Sequence, residues 1–345
     1  MIKKLNGDAC HEYLVRNIRG KLAFDENADY YEWKARVGEK LRDLLGLDRI
    51  EENACPANID IEETAEFDAY TRIRFTYESE RNNLVPAYLL IPKQGRDRYP
   101  LAIALQGHTT GFHISVGEKK YSIDDEYGSS RFGLQAVENG FAALCIEQRG
   151  MGEVRSSRYP GPGGTHPCSF TAMTAINLGR TVIGERVWDV SRGIDAVISL
   201  GYNCIDTDKI MILGNSGGGT ASFYAACCDE RIGIAAPGCS FCSYKTSIMN
   251  ILHCVCNNIP HASEWFEMED LACMIAPRNL IVLTGIRDEI FPIEGVEKSF
   301  ETVRKIYCAE KKPGNCRLVR MPKGHNWCED FAWESINTVR AELGW

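Results

Sequence analysis

From residue 101 onward the chain repeats one rhythm: a short apolar run, a glycine or loop, then a segment with helical spacing. The apolar runs are LAIALQG (101–107), FAALCIEQRG (141–150), IMILGNSGGG (210–219), NLIVLTGIRDE (279–289) and CRLVRMPKGH (316–325). Between them lie SSRFGLQAVENG (129–140), GERVWDVSRGIDAVISLG (184–201) and VEKSFETVRKIY (296–307). Runs that are apolar throughout, not alternating, suit strands buried on both faces. Their alternation with helices predicts an α/β chain with a mostly parallel central sheet and helices on both faces. In such a sheet, reactive groups sit on loops beyond the carboxyl ends of the strands.

The front of the chain reads differently. DYYEWKARVGEKLRDLLG (29–46) carries apolar and charged residues at helical spacing and ends in Gly46. Residues 47–69 are acidic and read as irregular. TRIRFTYES (71–79) and LVPAYLLIP (84–92) read as a hairpin joined by polar ERNN. The prediction is a helical and β-hairpin extension, not an independent domain, with boundaries at 1–69 for the extension and 70–345 for the catalytic body.

Charge narrows the partners. The 345 residues carry a net charge of -8 and no basic block, which disfavours nucleic acid and anionic membranes and suits a small or neutral substrate. The N-terminus, MIKKLNGDACHEYLVRNIRG, has no apolar core of a secretory signal. No stretch approaches the roughly 18 consecutive apolar residues of a membrane span. A cytoplasmic protein is expected. Its 15 cysteines then read as free, mostly buried thiols in a reducing compartment.

Chemistry concentrates at Gly214-Asn215-Ser216-Gly217-Gly218, where a buried strand runs straight into G-x-S-x-G and a helix. That context places a serine on a tight turn, with Oγ above the sheet and helix N–H groups beyond it. Serine needs a base and an orienting acid, in the chain order Ser, Asp or Glu, His. Asp288 on the loop after 279–285 is preferred as the acid because it follows the Gly285 turn; Glu289 and Glu294 are alternatives. His325, on the loop after the last apolar run, is the histidine that fits both order and position. His11, His108, His113, His166, His253 and His261 all precede the acid. An oxyanion hole needs two backbone donors. The N–H of Gly217 and that of His108, in the early loop ALQGHTTGFH, are the candidates.

These motifs carry a resemblance. QGH (106–108), EQRGMGE (147–153), GERVWDVSRGIDAV (184–197), GNSGGG (214–219), GIRDEIFP (285–292) and KGH (323–325) resemble the α/β-hydrolase superfamily, in its dienelactone-hydrolase and acetyl-xylan-esterase-like branch. The likeness covers about residues 70–345, and residues 30–92 look like the extension of acetyl-xylan-esterase-like members. It implies Ser216 as nucleophile, Asp288 as acid, His325 as base, and Gly217 and His108 at the oxyanion positions. The implied reaction is hydrolysis of a small-acyl carboxylic ester, with acetylated saccharides as candidate substrates and no cofactor or metal. Two positions depart from the pattern: Gln106 where histidine is usual before the oxyanion glycine, and Glu147 where aspartate is common. Dienelactone hydrolases themselves use cysteine where this chain has Ser216.

Other readings stay in play. A prolyl-oligopeptidase-like peptidase uses the same triad, but residues 1–70 are too short for a propeller. A non-catalytic pseudo-hydrolase would not need a competent residue at every triad position. Arg149, Arg186, Trp188 and Asp189 read as buried polar contacts bracing the site loops, with substrate binding as the rival role. Cys239, Cys242, Cys254 and Cys256 can be drawn as a zinc set, but the C-x-C half is off the usual spacing, so free thiols are expected. The stretches 159–170 and 253–266 are candidates for the site entrance. The N-terminal layer offers a surface for a homo-oligomer, which the sequence does not decide.

Overall fold

The structure is a computed structural model and describes residues 5–93, 95–158 and 168–345. Among these residues nine strands form one sheet: β1 (Asp60–Glu66), β2 (Tyr70–Glu80), β3 (Asn83–Pro92), β4 (Tyr99–Leu105), β5 (Ala142–Ile146), β6 (Ile205–Asn215), β7 (Ile232–Gly238), β8 (Asn279–Gly285) and β9 (Cys316–Met321). Their spatial order is β1-β2-β3-β5-β4-β6-β7-β8-β9. The pairs β1–β2, β2–β3 and β3–β5 are antiparallel; every pair from β5 through β9 is parallel.

The central strands are apolar throughout because both sheet faces are covered. Along β4, Leu101, Ile103 and Leu105 enter one core while Ala102 and Ala104 enter the other. On β8, Leu280 and Val282 face one side, Ile281 and Leu283 the opposite one. This period of two is what a pleated strand requires. The first core is closed by the helices Tyr30–Leu45, Val182–Leu200, Gly217–Cys228 and Ile293–Ala309; the second by Phe132–Glu138 and Glu329–Glu342.

In the Tyr30–Leu45 helix, Trp33, Val37, Leu41 and Leu45 form a buried i, i+4 stripe. The Asp29 carboxylate caps it by accepting the Glu32 N–H at 2.9 Å. The stretch 47–69, expected to be irregular, instead holds the short helix Leu47–Glu51 and edge strand β1. The β1 sequence, DIEETAE, is exposed at nearly every position, so it has no apolar alternation to read; its charges suit an unpaired sheet edge. Among the described residues, no helix is long and apolar enough to cross a membrane.

A buried ion network joins the front of the sheet to the site loops. Arg149 binds both oxygens of Asp189 at 2.8 Å, lies 2.5 Å from Glu80 and 3.8 Å from Glu185. Arg180 reaches the same Glu80 and, at 3.1 Å, Glu185. Asp189 also accepts from Ser79 Oγ at 2.6 Å. Trp188 donates to the Ser79 carbonyl and Arg186 to the Arg149 carbonyl, at 2.8 and 2.9 Å. Neither Arg149 nor Asp189 lines the cavity beside Ser216, which favours the bracing role. Removing one partner of such a network strands the others. Arg149→Met is therefore expected to lower folding stability by about 3–5 kcal/mol, read as a lower denaturant midpoint, with KM for an ester substrate little changed.

Candidate active site

Ser216 sits between β6 and the Gly217–Cys228 helix with φ 56° and ψ -124°, a region that non-glycine residues seldom occupy. Its N–H donates to the Gly238 carbonyl of β7 at 2.9 Å, and its carbonyl accepts from Thr220 N–H at 2.8 Å. The flanking glycines allow the turn. A Cβ on Gly214 would lie 2.5 Å from the Leu105 carbonyl oxygen, and one on Gly218 only 2.2 Å from the same atom. The elbow thus presses against the end of β4, and side chains at either position would push it away.

Asp288 and His325 lie beyond β8 and β9, which are adjacent and parallel. The pairing continues past the strand ends, with Ile286 N–H donating to the Met321 carbonyl and Arg287 N–H to the Lys323 carbonyl, both at 3.0 Å. That brings the two loops side by side. His325 Nδ1 lies 2.9 Å from Asp288 Oδ2. The other carboxylate oxygen, Oδ1, accepts the N–H groups of Ile290 and Phe291 at 2.8 and 3.0 Å. Burial of Asp288 works to raise its pKa, but the hydrogen bond and charge of His325 and the two N–H donors outweigh it and hold the carboxyl below its ordinary value. The Phe291 ring stacks on the His325 imidazole, with centroids 5.9 Å apart and planes 12° apart. Glu289 and Glu294 are exposed.

Ser216 and His325 line one cavity of about 390 Å³, whose walls include His108, Tyr127, Phe291 and Trp327. The loop after β4 runs beside the serine: a Cβ on Gly107 would lie 3.3 Å from Ser216 Cβ, and one on Gly217 would lie 2.9 Å from His108 Nδ1. The residues proposed for the oxyanion hole, His108 and Gly217, are therefore neighbours of each other and of Ser216.

The two departures from the family pattern turn out to be partners. Gln106 Nε2 donates to Glu147 Oε1 at 2.7 Å. Glu147 Oε2 accepts the N–H groups of Phe112 and Glu153 at 3.2 and 3.1 Å. Burial pushes the Glu147 carboxyl up to about 7, against the pull of those N–H donors. The pair ties the loop after β4 to the loop after β5.

The other histidines and the cysteines fall into place less as the sequence suggests. His113 is buried against Asp124 at 3.0 Å, His261 pairs with Glu264 on the surface, and His166 lies outside the described residues. His253 lines the cavity and shares a 3.0 Å hydrogen bond with Ser247 Oγ. Of the proposed entrance, 159–167 lies outside the described residues; Leu252, His253, Cys254 and Asn257 line the cavity, while Phe266 is core. The drawn set Cys239, Cys242, Cys254 and Cys256 is not assembled. Cys242 contacts Thr246 and Cys239 lies near Asp288 and His325, whereas Cys254 and Cys256 meet His108 and Cys168. Sequence reasoning did not select Cys168, which lies more than 80 residues from Cys254.

The sheet order, the elbow after β6 and the His325–Asp288 pair beyond β8 and β9 define an α/β-hydrolase fold. No family model matches the chain. It is 25% identical over 244 residues to the Bacillus subtilis (strain 168) protein named "Putative hydrolase YtaP", covering 70% of this chain and 77% of that one. Among solved structures it is similar to a "putative acetyl xylan esterase" of Bacteroides fragilis NCTC 9343, with TM-score 0.76, 16% identity, and coverage of 94% of this chain and 84% of that one. A glucuronoyl esterase from Solibacter usitatus superposes with TM-score 0.63 at 14% identity over 93% of this chain and 96% of its own. Acetyl Xylan Esterase 1 from Thermoanaerobacterium sp. JW/SL YS485 gives TM-score 0.61 at 15% identity, covering 94% and 96%.

Proposed function

We propose that the protein is a serine carboxylesterase that hydrolyses small-acyl esters, with acetylated saccharides as its substrate class. The observation that carries this reading is the His325–Asp288 pair behind the same cavity that Ser216 enters from a positive-φ turn. With Nδ1 bound to Asp288, Nε2 of His325 takes the Ser216 proton as Oγ attacks the ester carbonyl. The N–H groups of His108 and Gly217 hold the oxyanion, each worth about 3–4 kcal/mol where such donors have been removed. His325 returns the proton to the leaving alkoxide, and water resolves the acyl-enzyme. The names of the structural neighbours, acetyl xylan and glucuronoyl esterases, support a saccharide-borne ester.

Two measurements test the reading. A fluorophosphonate probe is expected to label the folded protein once, on Ser216; a folded sample that resists labelling favours a ligand-binding protein. In a panel of p-nitrophenyl esters and acetylated xylo-oligosaccharides, acetyl groups are expected to turn over at least about tenfold better than long acyl chains, since each misplaced methylene costs about 1–3 kcal/mol. Equal or faster turnover of long chains refutes the small-acyl assignment, and cleavage of peptide bonds in preference to esters points to a peptidase.

A further inference from the structure

Apart from the Ser216 group, four soft ligand atoms converge on one point at the cavity wall. His108 Nε2 lies 3.2 Å from Cys256 Sγ and 3.4 Å from Cys168 Sγ. Cys168 Sγ lies 3.2 Å from Cys254 Sγ, and all four donor atoms lie within 4.8 Å of one another. We propose that His108 Nε2 and the Sγ atoms of Cys168, Cys254 and Cys256 form a four-coordinate site for Zn²⁺, which ties together three loops around the cavity.

The donor set is that of structural zinc: three thiolates and one imidazole, with no fifth position required. Arms of about 2.3 Å to sulfur and about 2.0 Å to nitrogen give tetrahedron edges of about 3.5–3.8 Å. The three short contacts need to open by about 0.6 Å or less, and the other three pairs, all within 4.8 Å, need to close by about 1 Å or less to accept the ion. Cys254 and Cys256 come from one short turn, and their one-residue spacing leaves two positions for distant loops to fill. His108 supplies one from the loop after β4, and Cys168 the other from the start of the Ser169–Asn177 helix. Much of the surrounding packing is apolar, including Met151, Ala172, Ala175 and Val182, with Ser169 Oγ 3.7 Å from Cys254 Sγ and Arg186 beside Cys256 as polar neighbours.

Charge provides an independent argument. Arg186 is buried, 2% exposed, with Nη1 3.6 Å from Cys256 Sγ. Its other bonds go to the Arg149 carbonyl, and among the described residues no carboxylate pairs with it. A buried cation needs a counter-charge. Three thiolates and Zn²⁺ leave one net negative charge, which Arg186 balances. A disulfide would leave Arg186 without a counter-charge, and the 3.2 Å between Cys168 and Cys254 is well beyond the roughly 2.05 Å of an S–S bond. Because His108 Nδ1 faces Gly217, fixing Nε2 on the ion also fixes the backbone of the oxyanion loop.

The test uses wild-type protein purified under reducing conditions without chelator. Elemental analysis is expected to find about one zinc per chain, released in step with mercurial modification of thiols. Exchange with Co²⁺ is expected to give thiolate-to-cobalt charge transfer and tetrahedral d–d bands. The double variant Cys254→Ser/Cys256→Ser should lose both metal and bands, while Cys239→Ser/Cys242→Ser keeps them. Wild-type protein that carries no zinc and develops no cobalt bands overturns the proposal. So does a cobalt spectrum that survives in the first double variant, or a native Cys168–Cys254 disulfide. The zinc-release titration needs no variant, so a double variant that fails to fold leaves the test intact.

Discussion

Replacing Ser216 by alanine is expected to lower kcat for p-nitrophenyl acetate by about 10⁴–10⁶ and to abolish fluorophosphonate labelling. Loss of the nucleophile in a Ser-His-Asp site removes the acyl-enzyme route altogether, leaving only what the oxyanion donors and substrate binding supply. The fold should not suffer, because alanine has the same Cβ at the same φ of 56°. Ser216→Gly separates the two roles of the position. It should be equally inactive yet more stable than Ser216→Ala by about 1 kcal/mol, since glycine occupies this conformation without strain. Chemical denaturation of the two variants measures that gap. A Ser216→Ala protein with more than a tenth of wild-type turnover means that the nucleophile lies elsewhere.

The parallel half of the sheet was legible because it is buried on both faces. LAIAL, ALCI and LIVL offer water almost nothing polar, and the helices between them supply the covering layers. What escaped was whatever does not depend on burial of apolar residues. Strand β1 is held by its pairing with β2, and DIEETAE carries no pattern that would announce it. Strand β7, IGIAAPG, is buried but built largely of small residues and a proline, so its apolar run is faint; Gly238 at its end packs against Trp327 and the elbow, and its carbonyl holds the Ser216 N–H.

The site divides along the same line. Ser216, Asp288 and His325 each follow a readable strand, so chain order and loop position suffice to nominate them. The Gln106–Glu147 pair and the Cys168–Cys254 contact join residues 41 and 86 positions apart through the packing of loops. No local spacing encodes them. The cysteine set drawn and set aside on spacing, Cys239, Cys242, Cys254 and Cys256, joined neighbours along the chain, whereas the fold places Cys168 and His108 beside Cys254 and Cys256. A usable signal was present in the Cys254-x-Cys256 pair itself, whose tight spacing leaves two ligand positions open to distant segments.

Asp288→Asn is expected to lower kcat by about 10⁴ with KM nearly unchanged. An aspartate here accepts three hydrogen bonds: His325 Nδ1–H on one oxygen and the Ile290 and Phe291 N–H groups on the other. Those two N–H donors keep the amide oxygen of asparagine on their side, so the NH₂ group faces His325. Nδ1 must then accept, the proton moves to Nε2, and the nitrogen that should take the Ser216 proton already carries one. The pH profile gives a second readout. Asp288 is held below its ordinary value chiefly by His325 despite burial, so it remains ionised throughout a mildly acidic assay. Protonation of Asp288 is therefore not expected to shape the wild-type kcat/KM profile within that range. As far as that carboxylate is concerned, the loss in the asparagine variant should be the same at mildly acidic and at neutral pH. Glu289→Gln and Glu294→Gln alter exposed carboxylates and should stay within about threefold of wild type. A variant of either glutamate with the larger loss, beside an active Asp288→Asn, would move the acid of the triad to that glutamate.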